Sequence, residues 1–386
     1  MTNTRTAYVG PAIFDGSEWH EGCALVIEGD RVATIMATTA LPAGHKIQHL
    51  PGGIITPGFV DLQVNGGGGV MLNEDQSVTA LGRVAAAHAR LGATSILPTL
   101  ITDMPEKTEA AIDAVATAIA EDIPGIIGLH LEGPHLSVPR KGAHDARFIR
   151  PMTDRDVTRL QDAAQRLPVL KMTVAVENVT PAQIRDLTEA GVLVSLGHSD
   201  ANYSQVAEAV SAGASCVTHL FNAMSQLGNR EPGLVGAALA NGQLSAGLIA
   251  DGVHVHPANV GIALRAKQGP GRIFLVSDAM SVAGTAETEF DLGGRKVLRT
   301  EGRLTLLDGT LAGADLDLLT AVRNLIGWGH ADETTALAMA TSVPASLVGG
   351  RQGLGRLVPG ALADFQHIDL DGVTAATVWQ RGKRVA

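Results

Sequence analysis

The sequence predicts an α/β protein built on a (β/α)8 TIM-like barrel, with a small β-sandwich domain formed by its N- and C-terminal segments. Three observations predict it. From Ile54 onward, short apolar runs alternate with helix-like stretches, as parallel βα units do. Eight such runs can be counted, and eight strands close a barrel. The two ends of the chain read alike, as short β-like runs punctuated by Gly, Asp and Pro. The 386 residues also suit a barrel of ~250 residues plus an accessory module.

In chain order, the first segment carries β-like runs at Ala7–Val9, Ala24–Ile27, Val32–Ile35 and Lys46–His49. Barrel strands are expected at Phe59–Val64, Thr94–Pro98, Ile126–Leu131, Leu170–Ala175, Val192–Gly197, Ser215–Leu220, Ser245–Ala250 and Ile273–Ser277. The Ala-rich, periodic stretch Val78–Leu91 and the stretch Pro105–Ala120 read as connecting helices, the second opened by Asp103 and Pro105. A helix-like stretch at Glu333–Ala340 precedes β-like runs around Leu357, at Asp364–Ile368 and at Val373–Trp379. The expected division is residues 1–54 and 351–386 for the sandwich and 55–350 for a catalytic barrel inserted between them.

Composition narrows the function. A net charge of -10 supplies no basic field for a phosphate backbone or an anionic membrane, so no nucleic acid and no membrane surface is expected as a partner. Cys23 and Cys216 stand far apart, which rules out a disulfide framework and a thiolate zinc cluster. The start of the chain is polar, and no apolar run reaches the ~18 residues of a membrane span, so a cytoplasmic location is expected.

Barrels of this kind collect function at the C-terminal ends of their strands. Five places there carry polar residues: Gln63 and Asn65 after the first strand, Glu132 after the third, His198 after the fifth, His219 after the sixth and Asp278 after the eighth. Taken singly, Glu132 reads equally well as a solvated rim carboxylate, either histidine as a satisfied core residue and Asp278 as a helix N-cap. Taken together, one carboxylate and two imidazoles at one mouth are the three protein ligands of a catalytic zinc site, with positions left for water. Beside such an ion, Asp278 can take a proton from the attacking water and hand it to a departing amine.

These residues lie within motifs that resemble a known family. Pro57-Gly58-Phe59-Val60-Asp61-Leu62-Gln63-Val64-Asn65-Gly66, Glu132-Gly133-Pro134, Lys141-Gly142-Ala143-His144, Gly197-His198-Ser199, His219-Leu220-Phe221-Asn222-Ala223-Met224, Arg230-Glu231-Pro232-Gly233 and Leu311-Ala312-Gly313 occur in order. Over nearly the whole chain they are similar to the N-acetylglucosamine-6-phosphate deacetylases of the amidohydrolase superfamily. The run His219–Met224 is the most specific; Pro359-Gly360 and Ala363-Asp364 match only the wider superfamily.

The resemblance implies that Glu132, His198 and His219 hold a divalent metal, that Asp278 is the general base and acid, and that His144 polarises the acetyl carbonyl. It places Gln63, Asn65, His144, Asn222, Ala223, Arg230, His254, Leu311, Ala312 and Gly313 around the substrate. Backbone amides near Asn222 and Ala223, with His254 and Arg230, would hold the sugar phosphate. Arg230 would reach in from a second subunit of a homodimer. An Arg fork and a His donor do suit a dianion on physical grounds.

Many amidohydrolases carry His-x-His after strand one. Here Gln63-Val64-Asn65 offers neutral amides that bind transition metals poorly, so one catalytic metal is expected. His135 is expected to pack against its loop, and Asp315 must point away from an anionic substrate. Zn2+ suits the ligand set best, with Fe2+, Co2+ or Mn2+ able to use the same ligands. The expected reaction is metal-dependent hydrolysis of the acetamide of N-acetylglucosamine 6-phosphate to glucosamine 6-phosphate and acetate. Two other readings stay open: a deacetylase of N-acetylgalactosamine 6-phosphate or another N-acyl amino sugar, and a non-catalytic sugar-phosphate-binding regulator.

Overall fold

Eight parallel strands stand side by side in sequence order, each bonded to its neighbours: Phe59–Val64, Ala93–Ile101, Leu129–Glu132, Leu170–Val174, Leu193–Leu196, Cys216–Val217, Ser245–Leu248 and Ile273–Leu275. The computed structural model describes residues 5–350, 353–372 and 376–386. The sheet is nearly closed, and at the mouth the first and last strands meet through a bridge between Val64 and Ala279. The first strand is buried along its whole length, as expected of a parallel sheet covered on both faces. Strand order and the apolar runs of the sequence therefore agree, although the sixth strand is much shorter than its run, because the backbone turns left-handed at His219.

The connecting helices start where the sequence places caps. Ser77 accepts from Ala80 N at the head of Val78–Arg90, and Pro105 opens Pro105–Ala120. Thr153 with Asp156, Thr180 with Gln183 and Asn202 with Gln205 form reciprocal capping pairs on Asp154–Arg166, Pro181–Glu189 and Tyr203–Ser211. Each cap satisfies donors that would otherwise be stranded at a helix start.

The two ends of the chain share one six-stranded sheet. Its strands lie in the order Lys383–Arg384, Thr377–Gln380, Phe365–Ile368, Ile54–Pro57, Ala12–Phe14, Trp19–His20. A second sheet of Arg31–Ala37, Cys23–Glu28, Thr6–Val9 and Lys46–His49 is packed against it through Tyr8, Leu25, Ile27 and Val32. At the centre, Phe365 and Trp379 stack 4.7 Å apart, and Tyr8 stands edge-on to both at 4.9 and 5.3 Å.

Two details differ from the sequence reading, and a third falls outside the described residues. Ile54–Pro57 pairs with Phe365–Ile368, so the sheet of the two ends continues past residue 54. Leu357 forms no strand; it is buried in irregular backbone, its N–H bonded to Asp15 O, and burial alone made its run look β-like. Of the run Val373–Trp379, residues 373–375 lie outside the described residues, as do 351 and 352 at the expected boundary.

A further four-stranded antiparallel sheet, Glu289–Leu292, Arg295–Thr300, Arg303–Leu306 and Leu311–Ala314, was not anticipated. Its turn signals are in the sequence. Gly293-Gly294 and Glu301-Gly302 both have positive φ, as two-residue hairpin turns require. This sheet stands over the barrel mouth, with Arg295 donating to Ala143 O at 2.6 Å.

Because Phe365 is fully buried between the two end sheets, Phe365→Ala is expected to cost about 3–5 kcal/mol, read as a shifted denaturation transition, whereas an exposed site such as Leu307 should tolerate Ala within ~0.5 kcal/mol.

Candidate active site and metal centre

Glu132 is the last residue of its strand, and three other proposed residues follow strand ends at sharp backbone kinks. His198, His219 and Asp278 have φ of 47°, 30° and 51°. Left-handed backbone of this kind costs of order 1–3 kcal/mol for a residue with a Cβ, and persists only where the surroundings over-determine it. Here each kink ends the regular alternation of the strand just where a side chain must turn into the mouth.

The three proposed ligands meet. Glu132 Oε1 lies 3.0 Å from His198 Nε2 and 3.0 Å from His219 Nε2, and the two nitrogens are 3.1 Å apart. All three residues are buried, and these atoms form a group able to hold a metal ion. The triangle has the size expected of ligands about 2.0–2.2 Å from one common ion. His198 Nδ1 donates to Arg140 O at 2.8 Å, which leaves the Nε2 lone pair for a cation, as carbonyl-oriented metal histidines do. Nδ1 of His219 is buried without a partner. Burial pushes the Glu132 carboxyl up, but hydrogen bonds from the two imidazoles outweigh it and hold the group well below its ordinary range.

Asp278 stands beside this triangle. Its Oδ1 accepts from Gln63 Nε2 at 3.0 Å and Asn65 Nδ2 at 2.7 Å. Gln63 also donates to Glu132 Oε2 at 3.1 Å, so one amide ties the two carboxylates together. Burial, and then the charge of Glu132, push the Asp278 carboxyl above its ordinary value. Asp278 is not a helix N-cap. Gln63, expected at the substrate, is wholly buried and spent on the two carboxylates; Asn65 does line the cavity.

His144 approaches from the loop after the third strand, its Nε2 3.9 Å from Glu132 Oε1. Its Nδ1 accepts from Thr102 N at 3.3 Å and lies 2.9 Å from Thr102 Oγ1, which assigns the ring proton to Nε2. Burial pushes its pKa down to about 3, so the ring is neutral and can donate from Nε2 without carrying charge.

These groups open onto a cavity of about 410 Å³, also lined by Asn222, Ala223, His254, Leu311 and Gly313. Ala312 points instead into the core of the overlying sheet. His254 Nδ1 is held by Asp251 Oδ2 at 2.6 Å, which fixes the ring. The Asn222 N–H is used on His219 O at 3.0 Å, so of the two backbone donors expected there it is already engaged. Arg230 is exposed and outside the lining of this cavity within the single chain. Asp315 is drawn away by Arg299 at 2.8 Å, which removes its conflict with an anionic ligand. His135 packs under its loop with Nδ1 bonded to Arg150 O at 3.0 Å.

Sequence reasoning missed Thr102 and Asp251. Both directly follow barrel strands or their apolar runs, so the strand-end rule applied to strands two and seven would have found them.

The chain matches the amidohydrolase family model over residues 54–385. It is 42% identical to an N-acetylgalactosamine-6-phosphate deacetylase of Shewanella sp. strain ANA-3, over 94% of this chain and 91% of that protein. It is 34% identical to an N-acetylglucosamine-6-phosphate deacetylase of Haemophilus influenzae, over 89% of each. The crystal structure of N-acetylglucosamine-6-phosphate deacetylase from Pasteurella multocida superposes with a TM-score of 0.93 at 34% identity, covering 98% of this chain and 99% of that one. With a carboxylate and two imidazoles converging at the mouth of the barrel and a family match spanning it, the chain belongs to the amidohydrolase family.

Proposed function

We propose that the protein hydrolyses the acetamide of N-acetylglucosamine 6-phosphate, giving glucosamine 6-phosphate and acetate. The observation that carries this reading is the Glu132–His198–His219 triangle, with Asp278 clamped beside it at the same cavity. The names of its relatives supply the substrate class. Retention of Asp278 and all three ligands argues against a non-catalytic regulator.

Glu132, His198 and His219 would hold a divalent ion, taken to be Zn2+, which when bound would supply Lewis acidity and lower the pKa of water toward neutrality. His144 donates a hydrogen bond from its Nε2–H to the acetyl oxygen, keeping its proton, and steadies the charge that develops there. With Oδ1 engaged by two amides, Oδ2 of Asp278 is the oxygen that takes the proton of the attacking water and returns it to the amine nitrogen. His254, held by Asp251, and the Asn222–Ala223 turn face the phosphate. The enzyme is read as a cytoplasmic homodimer in which Arg230, exposed on its own subunit, completes the partner's phosphate site. The two chain ends, up to Pro57 and from Phe365 onward, are read as one sandwich domain supporting the catalytic barrel that begins at Phe59.

Acetate release by the purified protein tests the reaction, and absence of release from either epimeric 6-phosphate, with metal supplied, would overturn it. Because the Shewanella relative bears the galactosamine name, both epimers are assayed, and the glucosamine form is expected to show the higher kcat/KM. Chelation should abolish turnover and Zn2+ restore it. Asp278→Asn is expected to lower kcat by about 10²–10⁴ with metal content unchanged, and His144→Ala by about 10²–10³. Arg230→Ala should raise KM for the phosphorylated sugar by about tenfold or more with little change in kcat, and sedimentation should show a dimer.

A further inference from the structure

TIM-barrel interiors are dominated by Val, Ile and Leu, yet the layer directly beneath the ligand triangle of this barrel is polar. His130, two residues before Glu132 on the third strand, has both ring nitrogens engaged. Its Nδ1 lies 3.2 Å from Thr99 Oγ1 and its Nε2 2.7 Å from Thr173 Oγ1. From Thr173 the chain of contacts continues to Thr218 Oγ1 at 2.7 Å and from there to Ser195 Oγ at 2.7 Å. At the other end, Thr99 Oγ1 accepts from Val64 N at 2.9 Å. All five side chains are fully buried.

This belt links the strands that carry the site. Val64 separates Gln63 from Asn65, Thr218 immediately precedes His219, and Ser195 lies on the strand that leads to His198. Gly197, the residue before His198, presses on the same layer: a Cβ there would lie 3.0 Å from Thr173 Cγ2 and 3.0 Å from Thr218 Cβ. A neutral imidazole offers one donor and one acceptor on opposite edges, so it can bridge hydroxyls on two neighbouring strands, which no aliphatic side chain can do. Buried hydroxyls left without partners would seek new ones by shifting, and the ligand triangle one layer above has little tolerance for shifts.

We propose that His130 is a positioning residue for the metal centre: the hydroxyl–imidazole belt it completes sets the spacing at which Glu132, His198 and His219 stand, and so sets the affinity for a divalent ion. This rests on the metal-dependent reading given above. The belt does not touch the substrate, so its effect is on the geometry of the ligands and on the readiness of the metal-free protein to bind.

The test measures metal affinity rather than turnover. Apo-protein made by chelation is titrated with Zn2+ against a chromophoric chelator, loaded separately with Co2+ for its visible spectrum, and melted without metal. His130→Leu and the near-isosteric Thr218→Val are expected to bind Zn2+ about tenfold or more weakly, with an altered Co2+ spectrum, while the apo-protein still melts cooperatively. His130→Gln, which keeps a donor and an acceptor, should recover most of the affinity. A purely structural role would lower the apo melting temperature and leave the dissociation constant and spectrum of the folded protein unchanged; that result overturns the proposal. If His130→Leu fails to fold, Thr218→Val decides by the same readouts. A wild-type protein that binds no divalent ion would remove the metal reading and the belt's role with it, an outcome distinct from tight binding by wild type and variants alike.

Discussion

Two imidazole nitrogens 3.1 Å apart, each 3.0 Å from the same carboxylate oxygen, make an arrangement that only a cation or shared protons can reconcile. Lone pairs converge there in a place from which water is largely excluded. The rest of the structure is arranged around that constraint. Three strands must end at the same height, three backbones must kink, and a carboxylate must stay ionised despite burial. Each of these has a cost, and the fold accepts all of them at one rim of the barrel.

The surrounding groups divide the labour by their hydrogen bonds. Gln63 and Asn65, at the end of the first strand, hold carboxylates by donating amide protons. An aspartate so held has one oxygen engaged and one left for chemistry. His144 is kept neutral by burial and oriented by Thr102, which suits a group that donates a hydrogen bond without adding a charge next to a cation. The antiparallel sheet above the mouth brings Leu311 and Gly313 to the cavity from a part of the chain that the barrel itself does not supply.

Much of this was legible in the residues. The alternation of apolar runs located all eight strands, Pro105–Ala120 and Glu333–Ala340 were bounded as observed, and the strand-end rule picked out the residues that meet. What escaped has physical reasons. Leu357 looked like a strand because it is buried, but burial does not specify backbone conformation. The hairpins after Leu275 escaped because their strands are half-exposed and charged, so apolar periodicity is weak there and only the Gly-containing turns betray them. His130 read as part of an apolar strand; its partners come from strands remote in sequence, and no local pattern announces them.

The sequence by itself determined the class of fold, the order of the strands and which side chains end them, because hydrophobic periodicity and capping are local properties of the chain. Only the tertiary structure decided that Glu132, His198 and His219 share one point, that Gln63 serves the carboxylates, that Asp315 turns toward Arg299, and that Arg230 stands outside the cavity of its own chain. Those outcomes depend on distances between residues far apart along the chain. Such distances are set by barrel closure and by packing in three dimensions, which a linear pattern does not encode.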